Sequence, residues 1–540
     1  KRTKGILGAL LDLFWRDPLY ESLDSAGRYE NTIISLKNLL KGIAKINPMI
    51  LNIEDFHFAD SDSLVFIQNL LRNIEEYPIL LIITLRKGYA DKLNILTSEE
   101  YPIAKINLDR LSKESISEML KHKLYPDYPP ELLEIIYSKS GGNPFFVEQI
   151  ILYLKEHYNL KKTSGEIKSI PKNFEIPDKI SSIIISRIDR LEREIKDVIK
   201  SASVLGMEFS IKVLSLMLQN KLDDNYLETI QQEDIWVAIS DLRFIFKHLL
   251  IRDTVYEMQL KRTLLKLHKL AGESIETVFK RNQKEHYGEL AFHYEKAKTR
   301  AKTVYYLEKA GDLAFDNYHN TSALEYYLKL LAYIKGEHSL QFIIRTAEIY
   351  ETLGRWDDGL GYFKKGKTLA KKYQKDKELF KIYIQMMNLY RKTGQDKKVF
   401  NLINKEIPQI LMKVDKVESW SKYYQNIGYY YHCRGEYKKA KEYIENALEI
   451  LKESKIKSDF GDIYNYLGMV VYYLGDYKEA TKYYNKALKI FEKKKDKKLL
   501  GTIYGNLGLL YKDLGDYKKA MEVYQKKLKI SEELGYREGI

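Results

Sequence analysis

Three stretches in the C-terminal part of the chain repeat one another at an interval of 40 residues: YYQNIGYYYHCRGEYKKAKEYIENALEIL from Tyr423, IYNYLGMVVYYLGDYKEATKYYNKALKIF from Ile463 and IYGNLGLLYKDLGDYKKAMEVYQKKLKIS from Ile503. Four columns stay in register: Gly428, Gly468 and Gly508; Gly435, Gly475 and Gly515; Tyr437, Tyr477 and Tyr517; Ala440, Ala480 and Ala520. A fixed period of this size means one supersecondary unit stacked on copies of itself, because a single unit cannot bury its own apolar face. Each copy reads as two amphipathic helices joined by a turn at Gly-Asp/Glu-Tyr. Gly468 and Ala480 fall where the two helices must approach closely, and a larger side chain would push them apart. Fainter copies precede these, in AEIYETLGRWDDGLGYFKKG with Gly354 and NLYRKTGQDKKVFNLI with Gly394.

The spacing resembles the tetratricopeptide repeat, whose usual period of about 34 is lengthened here. The resemblance implies a quasi-linear α-solenoid with a concave face for protein or peptide ligands. The 44 tyrosines suit helix interfaces, with hydroxyls reaching water; a second reading makes part of them an aromatic ligand groove. The final LKISEELGYREGI stops where another repeat would begin, so the array is expected to continue past Ile540.

A chain of 540 residues exceeds one hydrophobic core, so several units are expected. No apolar run reaches the roughly 18 to 20 residues of a membrane span. The single cysteine, Cys433, rules out an internal disulfide framework and suits a reducing compartment, so a cytoplasmic location is expected. A net charge of +14 raises the question of nucleic acid. The lysines, however, are scattered over solvent faces such as KKAKEYIENALEILKESKIK, and no nucleic-acid partner is expected. The chain starts at Lys1 without a secretory cleavage pattern and reads as a piece of something longer.

In the N-terminal part, ILNIEDFHFAD (residues 50–60) runs an apolar stretch into adjacent acids. Asn47-Pro48 ends the helix of NTIISLKNLLKGIAKI, and MILNI then reads as a short buried parallel strand. Parallel strands present their C-terminal edge to a ligand crevice, and Glu54 and Asp55 stand there. Neighbouring carboxylates repel unless a cation or proton comes between them, which gives a metal or a catalytic water a reason to sit there. The bland alternative is a helix N-terminus, with DSDSL from Asp60 capping the following helix. A second strand, YPILLIITLR, is read from Ile79 to Leu85, with Thr84 and Arg86 at its end.

In this order ILNIEDFHFADSDSL and LLIITLR resemble the Walker B and sensor 1 segments of the signal-transduction ATPases with numerous domains. These are AAA-like P-loop NTPases of the kind attached to adenylate cyclases, protein kinases and maltose-type activators. INLDRLSKESISEML and YPPELLEIIYSKSGGNPFFVEQIILYL look like the family's helical lid, with its Gly-x-Pro element at Gly142, Asn143 and Pro144. IPDKISSIIISRIDRLEREIKDVIKSASVLGMEFS and LRFIFKHLLIRDTVYEMQL resemble its winged helix.

The resemblance implies a mainly α protein built from four parts: a partial NTPase α/β domain over 1–108, a lid over 109–168, a winged-helix-like region over 169–270 and the solenoid over 271–540. It also implies ATP or ADP and Mg2+ as cofactors. Glu54 would hold the metal and Asp55 position water, or the reverse, and Arg86 would approach the terminal phosphate. Gly142, Asn143, Pro144 and His248 would lie near the nucleotide; each also has a structural reading, Asn143 and Pro144 as a helix start and His248 as an ordinary helix residue. No phosphate loop, Gly-x-x-x-x-Gly-Lys-Ser/Thr, is read anywhere in the chain, and only 48 residues precede Met49. It is expected upstream of Lys1, so these 540 residues alone should bind nucleotide poorly. The implied function is an ATP-dependent signalling switch that forms a homo-oligomer in its ATP state. The alternative is a non-enzymatic repeat scaffold on a degenerate NTPase fold.

Overall fold

The computed structural model describes residues 6–8, 23, 25–72, 74–86, 104–123, 128–157, 176–177, 179–414, 417–453, 460–494 and 496–534. It divides into two compact units, Lys1–Pro102 with Gly311–Ile540, and Ile103–Ala310.

The first unit opens with an α/β fragment. Helix α1 (Ser25–Ile46) stops just before Pro48, which disfavours helical backbone in the residue preceding it. Strand β1 (Met49–Ile53) pairs in parallel with β2 (Ile79–Ile83), from Met49↔Ile79 to Ile53↔Ile83, and α2 (Ser61–Leu71) makes the crossover. Leu51, Ile53, Leu81 and Ile83 turn one sheet face to a core with Leu40, Phe56, Ile67 and Leu70. On the other face Ile50, Leu80 and Ile82 are 67%, 56% and 41% exposed. The strand expected to be buried is thus half-buried, because α1 and α2 cover one face only.

The second unit begins with α3 (Lys113–Lys123), α4 (Pro130–Ser140) and α5 (Pro144–His157). They bury Ile116, Leu120, Leu132, Ile136, Val147 and Leu154 together. Next come α6 (Ile180–Asp189), α7 (Arg193–Leu205), β3 (Glu208–Ser210), α8 (Ile211–Met217), α9 (Asp224–Gln232), β4 (Trp236–Ser240) and β5 (Arg243–Phe246). The three strands form an antiparallel sheet in the order β3-β5-β4. Its core is aromatic: Trp236 meets Phe209, Phe244 and Phe246 at centroid distances of 5.2, 5.9 and 5.9 Å. Then follow α10 (Leu249–Glu257), α11 (Lys261–Val278), α12 (Tyr287–Lys296) and α13 (Arg300–Asp316), within which the division between the units falls.

The first unit resumes as stacked helices: α14 (Asn320–Tyr333), α15 (Leu340–Thr352), α16 (Trp356–Lys372), α17 (Asp376–Lys392), α18 (Asp396–Asn401) and α19 (Ile407–Val414). A π-helical turn, Leu402–Glu406, separates the last two. Three hairpins follow, α20 (Val417–Cys433) with α21 (Tyr437–Glu453), α22 (Phe460–Tyr473) with α23 (Tyr477–Lys494), and α24 (Lys497–Asp513) with α25 (Tyr517–Leu534).

The repeated residues explain the hairpins. Gly475 takes φ 86°, a left-handed conformation that side chains disfavour, and ends α22. Asp476 then accepts the Glu479 N–H at 2.8 Å, starting α23. A Cβ on Gly468 would sit 2.5 Å from Tyr484 Cδ1, so only glycine lets these helices close. Neighbouring hairpins are tied laterally, as where Asn506 Nδ2 donates to Asn465 Oδ1 at 2.8 Å.

Candidate functional site

Glu54 and Asp55 leave β1 at its C-terminal end and are both exposed, so their charges stay hydrated. Thr84, the residue after β2, fastens them. Its N–H donates to Ile53 O at 3.0 Å, its carbonyl accepts the Phe56 N–H at 2.9 Å, and its Oγ1 accepts the Asp55 N–H at 3.1 Å. Asp55 adopts φ 51°, ψ 39°, a left-handed bend that aspartate tolerates better than most residues. That bend turns the chain down, so Phe56 plugs the core and His57 is buried against Phe58 with ring centroids 4.2 Å apart. Asp55 Oδ1 lies 3.8 Å from His57 Nδ1, and Glu54 Oε1 accepts a bond from Asn52 Nδ2 at 3.1 Å. Asp60 caps α2, accepting the Ser63 N–H at 2.8 Å, and hydrogen bonding from the Ser63 side chain first, then from its backbone, holds the carboxyl below the usual carboxylate range. The helix-cap reading therefore belongs to Asp60, which leaves Glu54 and Asp55 outside the cap. Arg86 is exposed, three residues past β2.

In the second unit, Gly141 and Gly142 both take positive φ (55° and 76°) and end α4. A Cβ on Gly142 would come within 2.6 Å of Leu111 O, while Gly142 O accepts the Leu111 N–H at 2.8 Å. Arg110 also donates to Gly141 O, at 3.1 Å. Asn143 caps α5 through the Phe146 N–H at 3.1 Å, and Pro144 takes the first helical position, where a missing N–H costs nothing. His248 precedes α10 rather than lying on it: its Nδ1 accepts the Leu250 N–H at 3.1 Å, which leaves the neutral ring's proton on Nε2. The ring stacks on Phe145, centroids 3.7 Å apart at 12°. The structure thus sets His248 beside the Asn143-Pro144 corner, and Glu54 and Asp55 beside Thr84.

Sequence reasoning missed two features. Phe145 carries His248 but reads as one apolar residue among several. Gly361–Thr368, GYFKKGKT, does carry the Gly-x-x-x-x-Gly-Lys-Thr spacing of a phosphate loop. It lies wholly inside helix α16, where its backbone N–H groups serve the helix and cannot cradle an anion. Lys367 Nζ pairs with Glu406 at 2.6 Å, Thr368 Oγ1 donates to Lys364 O at 3.1 Å, and Gly366 packs on Ile382. The spacing is a coincidence of a lysine-rich repeat helix. Among the described residues no group of three or more His, Cys, Asp or Glu is placed to hold a metal ion, and no helix is long and apolar enough to cross a membrane.

Family models of the tetratricopeptide repeat match residues 420–454 and 459–533, so the three hairpins at the C-terminal end are tetratricopeptide repeats. The chain is 22% identical over 242 residues to an uncharacterized protein of Rhizobium meliloti (strain 1021), covering 44% of this chain and 23% of that protein. It is 22% identical over 328 residues to the peroxide stress-activated histidine kinase mak3 of Schizosaccharomyces pombe, covering 56% of this chain and 14% of that one. The match thus spans less than a quarter of either relative. A signal transduction ATPase with numerous domains (STAND) carrying a tetratricopeptide repeat sensor, from Pyrococcus horikoshii, is similar in structure at 16% identity and a TM-score of 0.46, covering 97% of this chain and 77% of that one.

Proposed function

We propose that this chain is the carboxylate-bearing and sensing part of a nucleotide-dependent regulatory switch, a slow cytoplasmic ATPase in the complete protein. Protein or peptide ligands on the concave face of its tetratricopeptide array would govern it. One juxtaposition supports the reading: an exposed carboxylate pair fastened to the C-terminal edge of a parallel sheet, in one chain with a repeat array of a binding type. Two exposed carboxylates suit Mg2+, which keeps several waters and takes one or two carboxylates besides phosphate oxygens. Bound there with ATP or ADP, the ion supplies charge neutralisation at the phosphates.

In this reading Glu54 holds the metal, Asp55 orients the attacking water and Arg86 faces the terminal phosphate. Gly142, Asn143, Pro144 and His248 line the nucleotide, and the phosphate loop lies upstream of Lys1. Array ligands shift the chain between an ADP-loaded resting state and an ATP-loaded homo-oligomer, which requires different affinities for the two states. The test is turnover and calorimetric binding of magnesium and ATP by the complete protein against Glu54→Gln and Asp55→Asn. Either change is expected to lower turnover by about 100-fold or more, and residues 1–540 alone should turn over almost nothing.

A non-enzymatic scaffold is the second reading, in which the α/β fragment serves only as a base for the tetratricopeptide array. Unchanged turnover in both variants would leave that reading standing.

A further inference from the structure

We propose that the Tyr318–His319 turn is a latch through which the repeat array sets the position of the Glu54–Asp55 edge. The turn joins α13 to α14 on the same hydrogen-bond frame as the later turn at Gly354. Tyr318 N donates to Phe315 O at 3.0 Å and His319 N to Ala314 O at 2.8 Å, as Gly354 N does to Glu351 O at 3.1 Å and Arg355 N to Tyr350 O at 2.9 Å. In the turns at Gly354, Gly394, Gly435, Gly475 and Gly515 glycine fills the left-handed position, with φ between 68° and 86°. Here Tyr318 fills it, at φ 63°, as Lys298 does at 57° and Gln374 at 54° in two other turns. An aromatic side chain is disfavoured in that region, and at Tyr318 it comes with contacts to the rest of the unit.

Those contacts come from the α/β fragment of the same unit. The Tyr318 ring lies 6.4 Å from that of Tyr29 on α1, and the His319 ring meets Tyr29 edge-on at 5.9 Å. Tyr29 Oη donates to Asp62 Oδ1 at 2.9 Å, and His319 Nδ1 stands 3.7 Å from Asp62 Oδ2. Asp62, in the first turn of α2, is thereby gripped from α1 and from the array at once. The path from there to Asp55 is short and stiff. Along it lie the Asp60 cap, the Ala59 N–H to Phe56 O bond at 3.0 Å and the buried Phe56 ring. In this proposal a shift of the N-terminal end of α2 is passed on to Asp55 and its bond to Thr84.

The functional weight of this coupling rests on the nucleotide reading of Glu54 and Asp55, but the coupling itself can be measured without nucleotide. The experiment is hydrogen–deuterium exchange on the 540-residue chain with Tyr318→Gly, Tyr29→Phe and the double variant. Glycine suits the backbone of the turn, so α13 and α14 should keep their protection. Amides of residues 55–63 should exchange at least about fivefold faster in Tyr318→Gly. The double variant should exchange no faster than its faster single, as for residues acting through one contact. Unchanged exchange over 55–63 in Tyr318→Gly, or effects that multiply in the double variant, would overturn the latch. Nucleotide titration of the complete protein and its Tyr318→Gly form separates the two ideas: altered exchange without nucleotide binding in either keeps the latch and removes the nucleotide reading.

Discussion

His268 and His293 show how far a single side chain departs from what its position in the sequence suggests. Nothing in the sequence around them marks either one, yet both are buried, with Nδ1 atoms 3.0 Å apart and Tyr256 Oη 2.9 Å from His268 Nε2. One assignment satisfies all three groups: Tyr256 donates to His268 Nε2, and His268 Nδ1–H donates to His293 Nδ1. A proton on either ring would be a buried charge. Burial, helped by the charge of Lys296, pushes His268 down to about 4. Burial, helped by His268, pushes His293 down to about 3. An unfolded histidine titrates near 6.5, so below that pH the unfolded chain takes up protons that the native pair refuses. Stability from this pair is therefore complete above about pH 6.5 and is lost as pH falls toward 4 and then 3. Thermal melts from pH 7.5 to 4 should show a falling midpoint, and His268→Gln with His293→Leu should flatten that slope. An unchanged slope would show that acid acts elsewhere.

Whole elements were legible where a local rule sufficed. Gly475 followed by Asp476 announces a helix stop and start, and the structure places both there. Asn143-Pro144 announces α5, with Asn143 accepting the Phe146 N–H. Asn143→Ala should cost about 1 kcal/mol and Asn143→Gly a few tenths, read by chemical denaturation. Equal losses would mean that the amide matters for something other than the cap. Elements fixed by tertiary contact were read less well. Strand β2 ends at Ile83, short of the expected Leu85, and the next residue, Thr84, bonds Ile53, Asp55 and Phe56. His248 could not be placed before its helix from sequence, since histidine is a rare cap and its partner Phe145 lies 103 residues away. GYFKKGKT shows the opposite failure, a motif spacing without the strand-to-helix setting that gives it meaning.

At the scale of the molecule, the repeat period told most, because a solenoid is assembled from neighbour contacts that each copy carries in its own sequence. The sheet told least: its exposed Ile50, Leu80 and Ile82 depend on what lies opposite, which no local pattern encodes. The same difference governs how damage should spread. Gly468 approaches Tyr484 so closely that Gly468→Val must spread α22 from α23, at about 1–3 kcal/mol for overpacking. In a stack of neighbour contacts that loss stays near its origin. Amides of α22 to α25 should exchange roughly 5- to 150-fold faster, whereas those of α3 to α5, whose core is Ile116, Leu132 and Leu154, should keep their protection. A uniform loss across both units would show the chain unfolding as one cooperative body, and the array could then report ligand binding only through global stability rather than through local contacts such as the one at Tyr318.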